Sequence, residues 1–217
     1  MKKISILIIA SFLFTSAMAQ IENTRWKTKL NINGPLNTII DFKKDMVSIY
    51  TVADSTLIET MTYQHDDSSF TVFKTDGQSD CGSSTPGKYR YSIQGDSLMV
   101  ELITDDCYDR YNTIENTRWK KWKDYPVVKV DEAILKQYTG VYALDAARPV
   151  TISVDHGILY AEGPNSGLPK SPFTPITASK FLLRVAGVEM DFVKDEQGKV
   201  IKMISHEEKD YELKKIK

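Results

Sequence analysis

Cysteine, histidine and the familiar catalytic signatures are what this chain has least of. Its 217 residues hold two cysteines and three histidines. No serine is followed three residues later by lysine, so the Ser-x-x-Lys arrangement that activates a nucleophilic hydroxyl is missing. "SDC" at 79–81 is not Ser-Asp-Asn, and "KTDG" at 74–77 is not Lys-Thr-Gly. Neither a Gly-x-Ser-x-Gly elbow nor a glycine-rich phosphate loop occurs. His65, His156 and His206 fall on three separate segments, each near an expected turn and an acidic residue. That reads as three solvated side chains, not a metal set. Asp105 and Asp106 are neighbours on a strand and point to opposite faces, so they share a site poorly. The chain is therefore expected to be no enzyme and to need no cofactor.

Long apolar runs are equally scarce. The longest is Ile4–Phe14, too short to span a bilayer. It follows Lys2 and Lys3 and precedes Ala17-Met18-Ala19, with small residues at the two positions a signal peptidase reads. Residues 1–19 read as a signal peptide, cleaved after Ala19 to leave Gln20 first. No cysteine follows the apolar run, so no lipid anchor is indicated. The protein is expected in the periplasm or outside the cell, without a membrane span. Lys+Arg number 28 against 29 Asp+Glu, and no basic stripe carries interleaved aromatics. A nucleic-acid partner is not expected. "RWKKWK" at 118–123 has acidic residues on both sides and reads as a solvated strand end.

In an exported protein, Cys81 and Cys107 suggest a disulfide. A metal pair is the alternative, but two cysteines without nearby histidines make a poor zinc site.

What is abundant is alternation. Trp26, Thr28, Leu30 and Ile32 alternate with polar residues, the period of a strand with one wet face. Further strands run through Ile40 and Phe42, through Met46–Val52, through "TLIETMTYQ" and through "SFTVFK". "GKYRYSIQGDSLMVELI" is the clearest hairpin: Tyr89, Tyr91 and Ile93 share a face, Gly95-Asp96 turns, and Leu98, Val100 and Leu102 return. A last strand falls within Tyr111–Trp122. About eight short strands predict a closed antiparallel barrel over residues 20–123. Residues 124–130 read as a linker. Asp131 then caps a short helix, Glu132–Tyr138, ending at Gly140. Residues 131–217 otherwise read as about seven strands, with a proline-rich loop from Gly163 to about Pro175. The fold class is all-β, two barrel units in tandem.

One word occurs twice. "IENTRWK" stands at 21–27 and again at 114–120. Identity stops at both edges of the word, which excludes a duplicated domain. In an up-and-down barrel the first and last strands are neighbours, so the two copies are expected side by side at the seam.

"NTRWK" opening a strand, the 87–102 hairpin and "DDCYDR" resemble the lipocalin-like domains of secreted bacterial proteins, over about residues 21–123. The resemblance implies that Trp26 packs at the barrel base and that an arginine, Arg110 or Arg118, lies across it. A guanidinium over an indole adds cation–π attraction. Thr24 stands where that family carries a glycine. The second unit is similar to a domain of unknown function often found C-terminal to bacterial serine hydrolases related to beta-lactamases. "YTGVY", "VTISVDHGILYAEG", "KFLLR", "MDFVKDEQGKV" and "YELKKI" carry that likeness, over about 130–217. The departure is the charged "SHEEKD", where the family turns through glycine. The hydrolase's own catalytic motif is absent, as above.

Tyr50, Tyr63, Tyr89 and Tyr91 are the candidate cavity lining, with apolar bodies and polar tips. An eight-stranded barrel is just wide enough to pack shut or to hold one small ligand. Two function classes follow: a protein binding a small, partly apolar ligand or a surface partner, or an accessory protein-interaction partner of an exported hydrolase with no pocket of its own. The intact mass of the exported protein should match a chain beginning at Gln20 with the two thiols joined; a mass that includes residues 1–19 would contradict the leader.

Overall fold

The computed structural model describes residues 20–207 and 209–217. The expected signal peptide, and Glu208 of the charged turn, lie outside the described residues.

Two closed eight-stranded antiparallel barrels follow one another. The first comprises β1 (Thr24–Asn31), β2 (Pro35–Phe42), β3 (Met46–Thr51), β4 (Leu57–His65), β5 (Ser69–Gly77), β6 (Gly87–Gln94), β7 (Ser97–Asp105) and β8 (Thr117–Lys121). Each strand pairs with the next, and β8 returns to β1. Alternation sorts the faces: Trp26, Thr28 and Leu30 of β1 are buried, as are Tyr89 and Tyr91 of β6 and Leu98 and Val100 of β7. A short helix, α1 (Tyr108–Ile114), bridges β7 and β8. It was not expected from the sequence. Its i, i+4 residues Arg110 and Ile114 are its buried face.

The repeated word sits at the seam. β1 and β8 run antiparallel, with Trp26 opposite Lys121 and Lys27 opposite Lys120. Trp122 N donates to Arg25 O at 2.8 Å, and Thr28 Oγ1 to Arg118 O at 3.1 Å. The two copies also fold alike. Ile21 and Ile114 are buried, and Asn23 and Asn116 turn the chain at φ +58° and +54°. Asparagine tolerates that left-handed region better than most residues. Thr24 Oγ1 then donates to Ile21 O, and Thr117 Oγ1 to Ile114 O. Each hydroxyl in turn accepts the indole N–H two residues on, Trp26 at 2.7 Å and Trp119 at 2.5 Å. The word therefore encodes one local device: a turn, a threonine bridge and a buried tryptophan. Because the strands are antiparallel, the two devices enter the barrel from opposite ends.

Cys81 and Cys107 form a disulfide, Cα to Cα 5.4 Å. The bridge ties the β5–β6 connection to the foot of α1. By the chain-entropy account, closing a loop of this size contributes roughly 3–4 kcal/mol.

After the irregular residues 122–131, Asp131 caps α2 (Glu132–Tyr138) by accepting from Ala133 N at 2.7 Å, as expected. The second barrel contains β9 (Gly140–Ala143), β10 (Pro149–Asp155), β11 (Ile158–Gly163), β12 (Leu168–Pro175), β13 (Lys180–Leu183), β14 (Val188–Lys194), β15 (Val200–His206) and β16 (Asp210–Lys215). β16 closes on β9. The expected proline-rich loop is a correction: only Pro164–Ser166 is a helical turn, and 168–175 is a strand. Its prolines are tolerated because Pro169 falls within an irregularity of the β11 pairing. Pro172 falls where β12 passes from β11 to β13. Gly140, at φ +140°, lies so close to the chain end that a Cβ there would meet Lys217 O at 2.2 Å. The core is a cluster of rings, with Tyr138 stacked on Phe192 at 4.4 Å and both Phe173 and Phe181 edge-on to it.

The β13–β14 turn docks on β1, β2 and the β3–β4 connection. Arg184 donates to Val52 O at 3.2 Å and to Ser55 Oγ at 3.1 Å, and Asn37 Nδ2 to Ala186 O at 3.1 Å. Lys27 Nζ donates to Gly187 O, and the linker's Tyr125 hydroxyl to Glu189. Ile39 and Val52 are buried here although they belong to neither core cluster.

Replacing Thr24 or Thr117 by valine keeps the shape but strands an indole N–H in the core. Each change should cost about 1–3 kcal/mol in chemical denaturation. Values near zero would show that the threonine bridge adds nothing.

Candidate functional site

Tyr63, Tyr89 and Tyr91 do face the barrel interior, as the alternation implied. None of them is among the residues lining the cavity beneath α1. They pack into a continuous aromatic cluster: Phe42 meets Tyr63 at 5.5 Å and Phe70 at 5.7 Å, and Phe70 meets Tyr89 at 5.4 Å and Tyr91 at 6.1 Å. Burial and the nearby Glu22 carboxylate push the Tyr63 hydroxyl up to about 12. Tyr91 gives its hydrogen bond to Asp66 O at 2.9 Å. Tyr50 is a further correction. In β3 the buried positions are Val47 and Ile49, so the period of two turns Tyr50 outward, and the pairing with β4 is irregular at that point.

The barrel opens instead beneath α1. A half-open cavity of about 440 Å³ lies there. Ile49 of β3 and Ile58 and Met61 of β4 supply apolar wall, with Ile32 from the β1–β2 turn and Ile114 from α1. Polar groups come from Asn31 and Asn33, from Gln78 and Ser79, and from Asp109, Asn112 and Thr113. Two wall residues are charged and buried. Glu59 is 5% exposed, and it accepts from Ser79 Oγ at 2.6 Å and Ser79 N at 3.2 Å. Arg110 is 4% exposed.

Arg110 is held from below. Its Nε donates to Asp105 Oδ2 at 2.6 Å and its Nη2 to Asp105 Oδ1 at 2.8 Å, a forked pair that favours both charges. Nη2 also reaches Thr85 O at 2.9 Å. Asp105 further accepts from the Tyr89 hydroxyl at 2.5 Å and from Cys107 N at 2.8 Å. Burial and this contact with Asp105 raise the Tyr89 hydroxyl far above its ordinary range. For Arg110, burial opposes the charge, but the Asp105 hydrogen bonds and carboxylate outweigh it and raise the pKa. Gly87 makes the room, since a Cβ there would come within 2.3 Å of Asp105 Oδ2. One donor of this group, Arg110 Nη1, is enclosed and has no partner among the described residues.

The pairing of an arginine with Trp26 is corrected here. Arg110 sits at the α1 end of the barrel, whereas Trp26 pairs with Lys121 at the far end of β8. Arg118 alternates with buried Trp119 on β8 and points into solvent. The Trp26 indole is satisfied by Thr24, the residue standing where the resemblance implied glycine.

Glu59 was missed, though its signal was present. It shares the inward face of β4 with Met61 and Tyr63, a carboxylate in an apolar register. The three histidines stay apart. His65 stacks on Tyr63 near Glu22, His156 is open to solvent, and His206 lies between Asp191 and Asp210, 2.8 Å from each. Among the described residues no helix is long and apolar enough to cross a membrane.

A second concavity of about 540 Å³ lies against the second barrel, between Val128–Leu135, the β10–β11 turn and Phe173, Pro175 and Phe181. Its wall is apolar and its charged groups stand at an exposed rim. No protein-family model and no curated protein matches this chain.

Asp105→Asn keeps the shape but leaves the Arg110 charge enclosed without its counterion. The expected loss is about 3–5 kcal/mol in chemical denaturation. Tyr89→Phe removes one of four hydrogen bonds and should cost less, about 1.5–3 kcal/mol. Equal costs would contradict the central role given to the ion pair.

Proposed function

We propose that this is an exported, non-catalytic binding protein with a lipocalin-like first barrel that holds a small, partly apolar ligand beneath α1. The observation carrying this reading is the half-open cavity with its apolar wall and buried polar groups. Concave, mostly apolar sites with a few placed polar groups are the usual form of small-molecule sites. The volume, about 440 Å³, lies within the range such sites span. The enclosed ion pair and the disulfide hold α1 and the 78–86 connection in place, so the mouth is largely pre-formed. The absence of nucleophile, phosphate-loop and metal motifs from the sequence supports a role without catalysis.

A second reading has its own observation. The apolar concavity beside the linker, with Val127 nearby exposed at 74%, suits contact with a protein partner. In that reading the chain is an accessory of an exported hydrolase, in keeping with the likeness of its second unit.

Native mass spectrometry of protein purified from its own export compartment separates the two. The binding reading expects a bound mass that denaturation releases, and at least about a tenfold loss of affinity on Met61→Trp, which fills the cavity. Reproducibly empty protein, with no binding across a broad lipid and pigment panel, favours the accessory reading.

A further inference from the structure

We infer that the cavity beneath α1 selects an uncharged amphiphile, an apolar body ending in a carbonyl or hydroxyl, and discriminates against carboxylates. The inference rests on the binding reading above and adds the head-group chemistry.

Charge decides it. Among the described residues Arg110 is the only cationic side chain on the cavity wall. Its charge is already matched by Asp105, whose side chain is fully enclosed. Glu59 also lines the cavity, is buried, and has no Lys, Arg or His nitrogen within 4.0 Å among the described residues. Asp109 adds a second carboxyl at the mouth, which among the described residues accepts only from Asp80 N, at 3.2 Å. The wall therefore presents two carboxyl groups, neither paired with a cation among the described residues, beside one guanidinium already matched by Asp105. An entering carboxylate would lose its water and meet like charge at reduced dielectric, with no free cation to receive it. This is the reverse of a site where a spare arginine awaits an acid.

An uncharged oxygen has no such conflict. Arg110 Nη1 is enclosed without an acceptor, and a buried donor left unpaired is costly. Arg110 itself lines the cavity, so a carbonyl or hydroxyl oxygen that reached Nη1 on a small shift of the side chain would supply the acceptor without bringing charge. The rest of the polar wall is amide and hydroxyl, from Asn31, Asn33, Gln78 and Thr113, and suits a neutral head group. The apolar body would lie against Ile49, Ile58 and Met61.

Calorimetry of the full chain with decanoate, decanamide and 1-decanol, near neutral pH and below micelle formation, tests the inference. The three probes share a chain and differ at the head. Decanamide and 1-decanol should each bind at least about tenfold more tightly than decanoate. Glu59→Gln should narrow that ratio by strengthening decanoate, and Asp109→Asn, nearer solvent, should narrow it less. Decanoate binding as tightly as the amide overturns the head-group inference and leaves the binding reading standing. Failure of all three to bind, in unmodified folded protein, counts against the binding reading and removes this inference with it. The comparison on the unmodified chain decides even if a variant fails to fold.

Discussion

The enclosed pair of Asp105 and Arg110 is the constraint on which the open end of the first barrel depends. It joins the last residue of β7 to the middle of α1, and so holds the helix across the mouth. Almost every neighbour serves it: Gly87 gives space, Tyr89 and Cys107 N complete the carboxylate, and Thr85 O takes a guanidinium hydrogen. Two charges taken from water are tolerated only when their geometry and hydrogen bonds are nearly complete. The one gap, at Arg110 Nη1, lies in a residue that forms part of the cavity wall.

The seam supplies the other constraint. A sheet closed on itself has no free edge to recruit another chain, but closure needs its first and last strands to meet. Here the same seven residues build both sides. Each copy turns through an asparagine and buries a tryptophan whose N–H is satisfied within the word. A polar indole can therefore sit in the core without help from the other strands. The threonine at position 24 is what allows this, since a residue without a hydroxyl would leave the Trp26 N–H unpaired.

Much of the fold was legible, and for one reason. A strand with one buried face must alternate, and alternation is visible residue by residue. The eight strands of the first barrel and the Gly95-Asp96 turn followed from it; the helix after Asp131 was marked by its cap and its glycine stop, and the neighbouring of the two repeated words by barrel closure. The errors fell where that logic is silent. Strand β12 hides behind three prolines that survive because the pairing partner changes along its length. Helix α1 is two turns long, too short for a periodic signal. Tyr50 was misplaced by one residue of phase, which in a strand reverses the face. Arg110 was assigned to the wrong end of the barrel, because a buried arginine's partner is not set by its distance along the chain.

The sequence by itself determined the class of structure, and it pointed to the pairing of Cys81 with Cys107 and to the join of the barrel's two ends, which the structure then showed. These rest on local patterning and on a cysteine count that favours one bridge. Only the tertiary structure decided where the interior is solid and where it is hollow. The same inward positions fill with rings between Phe42 and Tyr89 and stand open beneath α1. That difference comes from how side chains of distant strands meet, and from an ion pair that props one helix over the mouth. Packing is a property of the assembled volume, so no single strand carries it.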